Sequence, residues 1–187
     1  MEENNIKEIL KASYKPQNEA SMDLERLGYK YDPELSSMDS KVFYDPKTNK
    51  PHIAYRGSVR LIDDWLDNIN LGLGGKSKAT EEAVGLAKQV KDKYGQAPDT
   101  YGHSRGGYKA EKAGEAVGGK TYTYNKATLP SDIFKSIRPD QTDVRTKGDI
   151  VSLPSYFQSG GMKQLIQPVN PFFNNILSNH SLDNLRR

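Results

Sequence analysis

The sequence predicts an α/β fold: a mostly parallel sheet with helices on both faces and an antiparallel hairpin at its N-terminal edge. Segments with strand-like and helix-like patterns alternate along the chain, and glycine and proline turns separate them. No internal repeat or low-complexity tract interrupts the alternation. The chain has 187 residues, enough for one domain with a core and few for two. We therefore expect a single domain over residues 1–187, with residues 1–40 as an N-terminal helical extension.

The N-terminal part predicts one short helix and then a hairpin. Ile6, Ile9 and Leu10 have the spacing of an amphipathic helix. The next stretch, LERLGYKYDPELSS, ends in turn residues. Residues 42–44 and 52–55 are apolar or aromatic and flank a turn rich in Pro and Asn, so they are predicted as two paired strands.

Two helices are predicted after the hairpin. Trp65, Ile69 and Leu73 form a stripe at four-residue spacing, which is more typical of core packing than of a binding site. The second helix has acidic residues in its first turn and lysines in its last, as the helix dipole favours. Its cap is Ser77 or Thr80. Its buried stripe comprises Ala79, Ala83, Ala87, Val90 and Tyr94.

The remaining elements complete the alternation. APDTYG is a short strand candidate, and residues 105–117 form a helix with small residues on one face, ended by two glycines. KTYTYNKA alternates like a strand, and TDVRTKGDIVSLP contains another. Strand, helix, strand, helix and strand in this order predict parallel pairing.

Composition excludes several classes of protein. The formal net charge is +3 with no long run of one sign, so nucleic acid is not expected as a partner. The absence of cysteine excludes disulfides and thiolate metal sites. The first residues lack the apolar core of a signal peptide, and no apolar run could span a bilayer. These features predict a soluble protein, cytoplasmic or virion-associated.

The stretch TYGHSRGGY contains the pattern Gly-x-Ser-x-Gly around Ser104. Alone this pattern is a weak signal. Here it follows a strand candidate and opens a predicted helix, where a sharp turn would expose a serine beside the helix N-terminus. Gly102 and Gly106 would allow the strand and helix to approach closely. Ser104 is therefore a candidate nucleophile.

A nucleophilic serine needs a base, and the base needs an orienting carboxylate. The sequence has three histidines. His52 lies in the upstream hairpin, and His103 next to the serine is expected to point away from its hydroxyl, which leaves His180. Asp149, just after a predicted strand, is the preferred carboxylate, with Asp143 as its rival.

Several blocks of the sequence resemble class 3 lipases, a family of α/β-hydrolase serine esterases. AYRGS is similar to the family's block at the oxyanion hole, and DDWLDN to the helix that follows it. GHSRGG resembles the family's GHSLGG turn, and GDIVSLP and NHSLDNL resemble its acid and histidine blocks. The blocks stand in family order over roughly residues 40 to 185.

The resemblance implies a role for each matching residue. Ser104 would be the nucleophile, His180 the general base and acid, and Asp149 the carboxylate that orients His180. The backbone N–H of Arg105 and the residue Ser58 would form the oxyanion hole. No metal or cofactor is implied. Two departures stand out: an arginine replaces the usual leucine after the serine, and the segment where relatives carry a lid is only a stub.

The predicted function is therefore a serine carboxylic-ester hydrolase of lipase or phospholipase type, acting on lipid or other acyl esters. Contact with a membrane surface remains open, because the apolar residues of segment 155–177 could face lipid, line an acyl pocket or cover the sheet edge. One alternative is a catalytically weak or inactive hydrolase fold used for binding or structure. Another is a small-molecule esterase or thioesterase. The compact form also resembles small lipase-like proteins of viruses and phages.

Overall fold

The computed structural model describes residues 3–57, 78–169 and 176–185, which form one β-sheet with helices on both faces. Within these ranges the strands are β1 (Lys30–Tyr31), β2 (Ser40–Tyr44), β3 (Pro51–Tyr55), β4 (Asp99–His103), β5 (Thr121–Tyr124), β6 (Ser136–Thr146) and β7 (Ser159–Ile166). The helices are α1 (Glu3–Ala12), α2 (Gln17–Arg26), α3 (Lys78–Tyr94), α4 (Arg105–Val117) and α5 (Ile176–His180).

The strands of the described sheet lie side by side in chain order. β1, β2 and β3 are antiparallel to one another, and β3 to β7 are parallel. This arrangement confirms the predicted fold class, including the N-terminal hairpin. The hairpin is not quite the edge, because the two-residue strand β1 pairs outside it. The carboxyl ends of β4, β5 and β6 therefore meet at one edge of the sheet.

One face of the sheet is covered by α1 and α2. Alternate strand residues point to this face, since successive side chains in a strand alternate between its two sides. The core on this side comprises Ile9, Leu10, Ala12, Ala20, Leu24, Phe43, Ala54, Tyr101 and Tyr124. The N-terminal residues thus pack directly on the central strands.

Helix α2 was not anticipated from the sequence. Its buried residues are Ala20 and Leu24, a single pair four residues apart in an otherwise polar segment. A stripe this narrow does not produce the repeated apolar spacing by which amphipathic helices are recognised.

The opposite face is covered by α3 and α4. Both helices agree with their predicted bounds to within a few residues. The core on this side comprises Val42, Ile53, Tyr55, Ala83, Ala87, Val90, Ala110, Ala113 and Val117. The predicted helix containing Trp65, Ile69 and Leu73 lies outside the described residues.

Strand β7 is another element that the sequence did not reveal. Most of its residues are exposed, so the alternation of apolar and polar residues that marks a half-buried strand is missing. Residues 159–166 of the apolar segment 155–177 therefore form an edge strand of the sheet. In the described ranges none of the helices is long and apolar enough to cross a membrane.

His52 belongs to a buried aromatic cluster on the face covered by α1 and α2. Its ring stacks on Phe43 at a centroid distance of 5.2 Å, and its Nδ1 lies 3.2 Å from the Tyr101 hydroxyl. Burial lowers the pKa of His52 to about 4. The imidazole is therefore neutral in the folded protein over most of the acidic range.

The contact of β4 with α4 allows a first prediction. A Cβ at Gly102 would overlap the backbone carbonyl of Gly106, whereas a Cβ at Gly85, inside α3, would meet nothing within 4 Å. Gly102→Ala should lower the free energy of unfolding by about 3 kcal/mol or more, because backbone cannot yield as a side chain can. Gly85→Ala should raise it by about 0.5–1 kcal/mol. Urea unfolding of both variants measures the difference, and equal midpoints would contradict the close approach.

His52 allows a second prediction. Its pKa is about 4 folded against 6.5 for the ordinary imidazole, so between these values the unfolded chain binds a proton that the folded protein does not. The free energy of unfolding should therefore fall as the pH drops from 6.5 towards 4, by about 2 kcal/mol at pH 5 for this residue. In His52→Leu that part of the loss should disappear. Urea titrations at pH 7.5 and pH 5 measure the free energy of unfolding at each pH. If the variant lost as much of this free energy between the two pH values as the wild type, the assignment to His52 would be wrong.

Candidate active site

Ser104 occupies the turn between β4 and α4 in an unusual backbone conformation. Its φ is 56° and its ψ is −127°. Among the described residues other than glycine, only Asn49 and Asn125 also have positive φ, and asparagine tolerates that region better than serine. Such conformations persist where the surrounding structure enforces them, and they concentrate at functional sites.

Backbone hydrogen bonds hold this turn against the neighbouring strand. The N–H of Ser104 donates to Tyr124 O at 3.1 Å, and the N–H of Ala127 donates to Ser104 O at 3.1 Å. Gly102 lets β4 approach the first turn of α4, and Gly106 lets that turn approach the end of β3. The Ser104 side chain is therefore presented at the carboxyl edge of the sheet by a rigid turn.

Asp149 and His180 are hydrogen-bonded at the same edge. Asp149 follows β6 by three residues and is 1% exposed. Its Oδ1 lies 3.1 Å from His180 Nδ1, and its two carboxylate oxygens also accept from the N–H groups of Val151 and Ser152, each at 3.2 Å. The buried carboxylate therefore has a partner for each oxygen.

The surroundings keep this carboxyl ionised. Burial by itself raises the pKa of Asp149, but the hydrogen bond and charge of His180, with the hydrogen bonds of the loop amides, together lower that pKa below its ordinary value. At neutral pH the carboxylate thus accepts the Nδ1 proton of His180.

Asp143, the rival carboxylate, points to the other face of the sheet. Its carboxylate accepts from Lys126 Nζ at 2.8 Å and from the Thr123 hydroxyl at 2.7 Å. It is part of a buried ion pair beneath α4 and lies away from His180. The structure therefore pairs the histidine with Asp149.

The His180 ring lies beside the serine turn. Its centroid is 4.7 Å from that of His103, the residue before Ser104. Among the described residues, the His180 ring is hydrogen-bonded to Asp149 and not to the Ser104 hydroxyl. The structure thus brings all three residues to one edge and forms the Asp149–His180 hydrogen bond, but not the Ser104–His180 hydrogen bond.

Of the two predicted oxyanion-hole residues, Arg105 lies within the described residues and Ser58 does not. Arg105 is the first residue of α4, so its backbone N–H lies in the first helical turn, where the helix dipole favours negative charge. Ser58 lies outside the described residues. Its neighbour Gly57 is packed against the turn, because a Cβ there would come within 2.7 Å of His103 O and 3.3 Å of Ser104 Cβ.

Further side chains at this edge were not identified from the sequence. The Tyr14 hydroxyl lies 2.7 Å from His103 Nδ1, and His103 Nε2 lies 2.8 Å from the carbonyl oxygen of His180. The Tyr124 hydroxyl donates to the carbonyl oxygen of Ser181, and Asn125 Nδ2 donates to that of Asn179, on either side of His180. No motif in the sequence marks these contacts, since Tyr14 and His103 are 89 residues apart.

Burial dominates the electrostatics of His103. Burial, together with the nearby His180 ring, lowers the pKa of His103 to about 3.

Within the described ranges, no group of three or more His, Asp and Glu side chains is placed to hold a metal ion.

Comparisons with known proteins assign the chain to a family. Nothing matches among the curated proteins. A solved structure, described as that of a predicted CIB-like hydrolase from Thermoplasma acidophilum, is similar at a TM-score of 0.44 and 14% identity, over 74% of this chain and 86% of that one. The model of a phospholipase-like family, the Tle-like phospholipase domain, matches residues 8–182. That match spans nearly the whole chain, and the chain therefore belongs to the Tle-like phospholipase domain family.

Proposed function

We propose that this protein is a serine hydrolase that cleaves carboxylic esters of phospholipids or similar lipids through an acyl-enzyme. The observation that carries the proposal is the position of Ser104, in a strained turn at a helix N-terminus, beside a buried Asp149–His180 pair. Hydroxyl, imidazole and carboxylate at one edge are the parts that serine acyl transfer requires. The likeness of the sequence blocks to class 3 lipases supports the same assignment.

Asp149 sets the tautomer of the proposed base. Because His180 Nδ1 faces the ionised carboxylate, the proton resides on Nδ1 and the lone pair resides on Nε2. That nitrogen is then free to accept a proton from the Ser104 hydroxyl. The Ser104–His180 hydrogen bond would form when substrate binds, since catalytic hydrogen bonds often tighten only in the substrate complex.

The reaction follows from these roles. Ser104 Oγ attacks the ester carbonyl carbon while His180 takes the hydroxyl proton, giving a tetrahedral oxyanion. Collapse breaks the bond to the alkoxy oxygen, which receives the proton from His180 and leaves as the alcohol. Water then attacks the acyl-enzyme by the same sequence and releases the carboxylic acid and Ser104.

The oxyanion would be stabilised by the backbone N–H of Arg105 and by Ser58. The position of Arg105 at the start of α4 supports its part of this role. Ser58 is assigned from the AYRGS block alone. Each such donor is typically worth about 3–4 kcal/mol in the transition state.

A lipid substrate is supported by the family and by one surface. Several large apolar side chains after Asp149 are exposed, among them Leu153, Tyr156 and Phe157 at 48%, 60% and 59%. The Arg145 guanidinium lies over the Tyr156 ring at 5.3 Å, so cationic and apolar groups are mixed there. Such a surface suits contact with a lipid layer carrying anionic headgroups.

The nucleophile gives a third prediction. Ser104→Ala should abolish release of p-nitrophenol from short-chain p-nitrophenyl esters and of fatty acid from phospholipid vesicles, because no other group replaces the attacking oxygen. The wild-type protein should be labelled by a fluorophosphonate probe and the variant should not. Ser136→Ala, at the far end of β6, is the matched control and should behave like wild type. Full activity in Ser104→Ala would refute Ser104 as the nucleophile. A wild-type protein that neither cleaves these esters nor reacts with the probe would refute the proposal and favour a non-catalytic binding module.

The two carboxylates give a fourth prediction. Asp149→Asn should lower kcat by about 10⁴-fold, because the amide stabilises the wrong tautomer of His180. Asp143→Asn removes a partner of buried Lys126, so it should lower the free energy of unfolding by about 3 kcal/mol and leave kcat of the folded protein near wild type. Steady-state kinetics with urea unfolding separates the two effects. A larger loss of kcat in Asp143→Asn than in Asp149→Asn would reverse the assignment.

A further inference from the structure

Three consecutive backbone carbonyls around His180 each accept a hydrogen bond from a side chain at the carboxyl edge of the sheet. Asn125 Nδ2 donates to Asn179 O at 3.0 Å, and the Tyr124 hydroxyl donates to Ser181 O at 3.2 Å. Between them, His103 Nε2 donates to His180 O at 2.8 Å. We call these three donors the carbonyl clamp.

The segment that carries His180 has little structure of its own. Helix α5 has five residues, and the turn that follows it spans Leu182–Asn184. A helix of this length is not stable in isolation, because helix nucleation is costly. The position of the His180 backbone must therefore come from tertiary contacts such as the clamp.

His103, the central donor, is held in one protonation state. The Tyr14 hydroxyl lies 2.7 Å from its Nδ1, and burial raises the pKa of Tyr14, so this hydroxyl keeps its proton and donates it. Nδ1 is then the acceptor, and the proton of the neutral ring lies on Nε2, facing the His180 carbonyl. The low pKa of His103 agrees with this state.

The ring also contacts His180 directly. The two imidazole centroids are 4.7 Å apart, and the His103 ring stacks on Tyr124 at 5.6 Å. His103 therefore restrains both the backbone and the ring of the residue that bonds to Asp149. Because it precedes Ser104 in the chain, it links the geometry of the serine to that of the histidine.

We propose that His103 is a positioning residue for the His180–Asp149 pair, acting through its Nε2–H bond to the His180 carbonyl, with Tyr14 fixing its tautomer and Tyr124 and Asn125 completing the clamp. The catalytic part of this inference rests on the proposed function. The alternative role for His103 is core packing, in which its shape matters and its Nε2 proton does not.

Two substitutions at His103 separate these roles. In His103→Gln the amide nitrogen can replace Nε2 as donor, whereas His103→Leu fills similar space without a donor. His103→Leu should lower kcat by about 10²-fold with KM little changed, as expected when reacting groups are displaced by about 1 Å. His103→Gln should recover most of that loss.

His52→Leu is the matched control. It also removes a buried, neutral imidazole from the same face of the sheet, and it lies outside the clamp. It should lower the unfolding midpoint while leaving kcat of the folded protein unchanged. Equal loss of kcat in His52→Leu and His103→Leu, or full loss in His103→Gln, would overturn the positioning role.

A spectroscopic readout makes the test independent of activity. In wild type the Nδ1 proton of His180, bonded to Asp149, should give a far-downfield proton NMR signal, and long-range ¹H–¹⁵N spectra should show His103 protonated on Nε2. His103→Leu should broaden or remove the His180 signal, and His103→Gln should keep it. An unchanged His180 signal in His103→Leu would overturn the proposal.

These spectra also distinguish failure of this inference from failure of the proposed function. If Ser104→Ala kept full activity while His103→Leu lost the His180 signal, the clamp would stand and the serine mechanism would fall. Should His103→Leu not fold, Tyr14→Phe provides the same test, because it removes only the hydroxyl that fixes the tautomer. Tyr14→Phe should lower kcat and broaden the His180 signal, and a wild-type kcat with an unchanged His180 signal would then overturn the proposal.

Discussion

The backbone contact between the end of β4 and the first turn of α4 is the constraint on which the rest of this molecule depends. A Cβ at Gly102 would overlap the backbone of Gly106, and a Cβ at Gly106 would overlap the carbonyl of Tyr55 at the end of β3. Ser104, between these two glycines, has a positive φ, and α4 begins directly after it. The strain is sustained by hydrogen bonds to β5 and to the residues after it.

Beside the apolar core under α4 lies a buried charged cluster. Lys126 is 1% exposed and its Nζ contacts Glu111, Asp143 and Gln158 at 2.5, 2.8 and 2.9 Å. The stem of Lys126 in turn lies against Gly107 in the first turn of α4. Buried charges cost free energy unless they are paired, and every partner here is satisfied. Polar side chains thus fill part of the interior in a chain with 35% hydrophobic residues.

The sequence predicted those parts of the fold that have strong local signals. The hairpin has apolar runs around a turn, and α3 and α4 have repeated apolar spacing with glycine ends, so each was located to within a few residues. α2 and β7 were missed because a single apolar pair and an exposed edge strand leave almost no pattern. At the site, motif order pointed to Ser104, Asp149 and His180, which the structure places at one edge.

The residues around Ser104, Asp149 and His180 could not be predicted from the sequence, for a different reason. Tyr14, Tyr124 and Asn125 act through single hydrogen bonds between distant segments. One sequence contains no periodicity or spacing that reports such a bond. His103 was expected only to point away from the Ser104 hydroxyl, and the partners of its two ring nitrogens, Tyr14 and the His180 carbonyl, were visible only in the structure.

The dependence of His180 on contacts with Tyr14 and His103 has a consequence for the order in which the protein matures. Segments that emerge first from the ribosome can begin to fold before later ones exist. Here Tyr14 and the serine turn are translated well before the segment around residue 180. Under the proposed mechanism, the site therefore lacks its base until the segment that carries His180 has been made and has docked against His103.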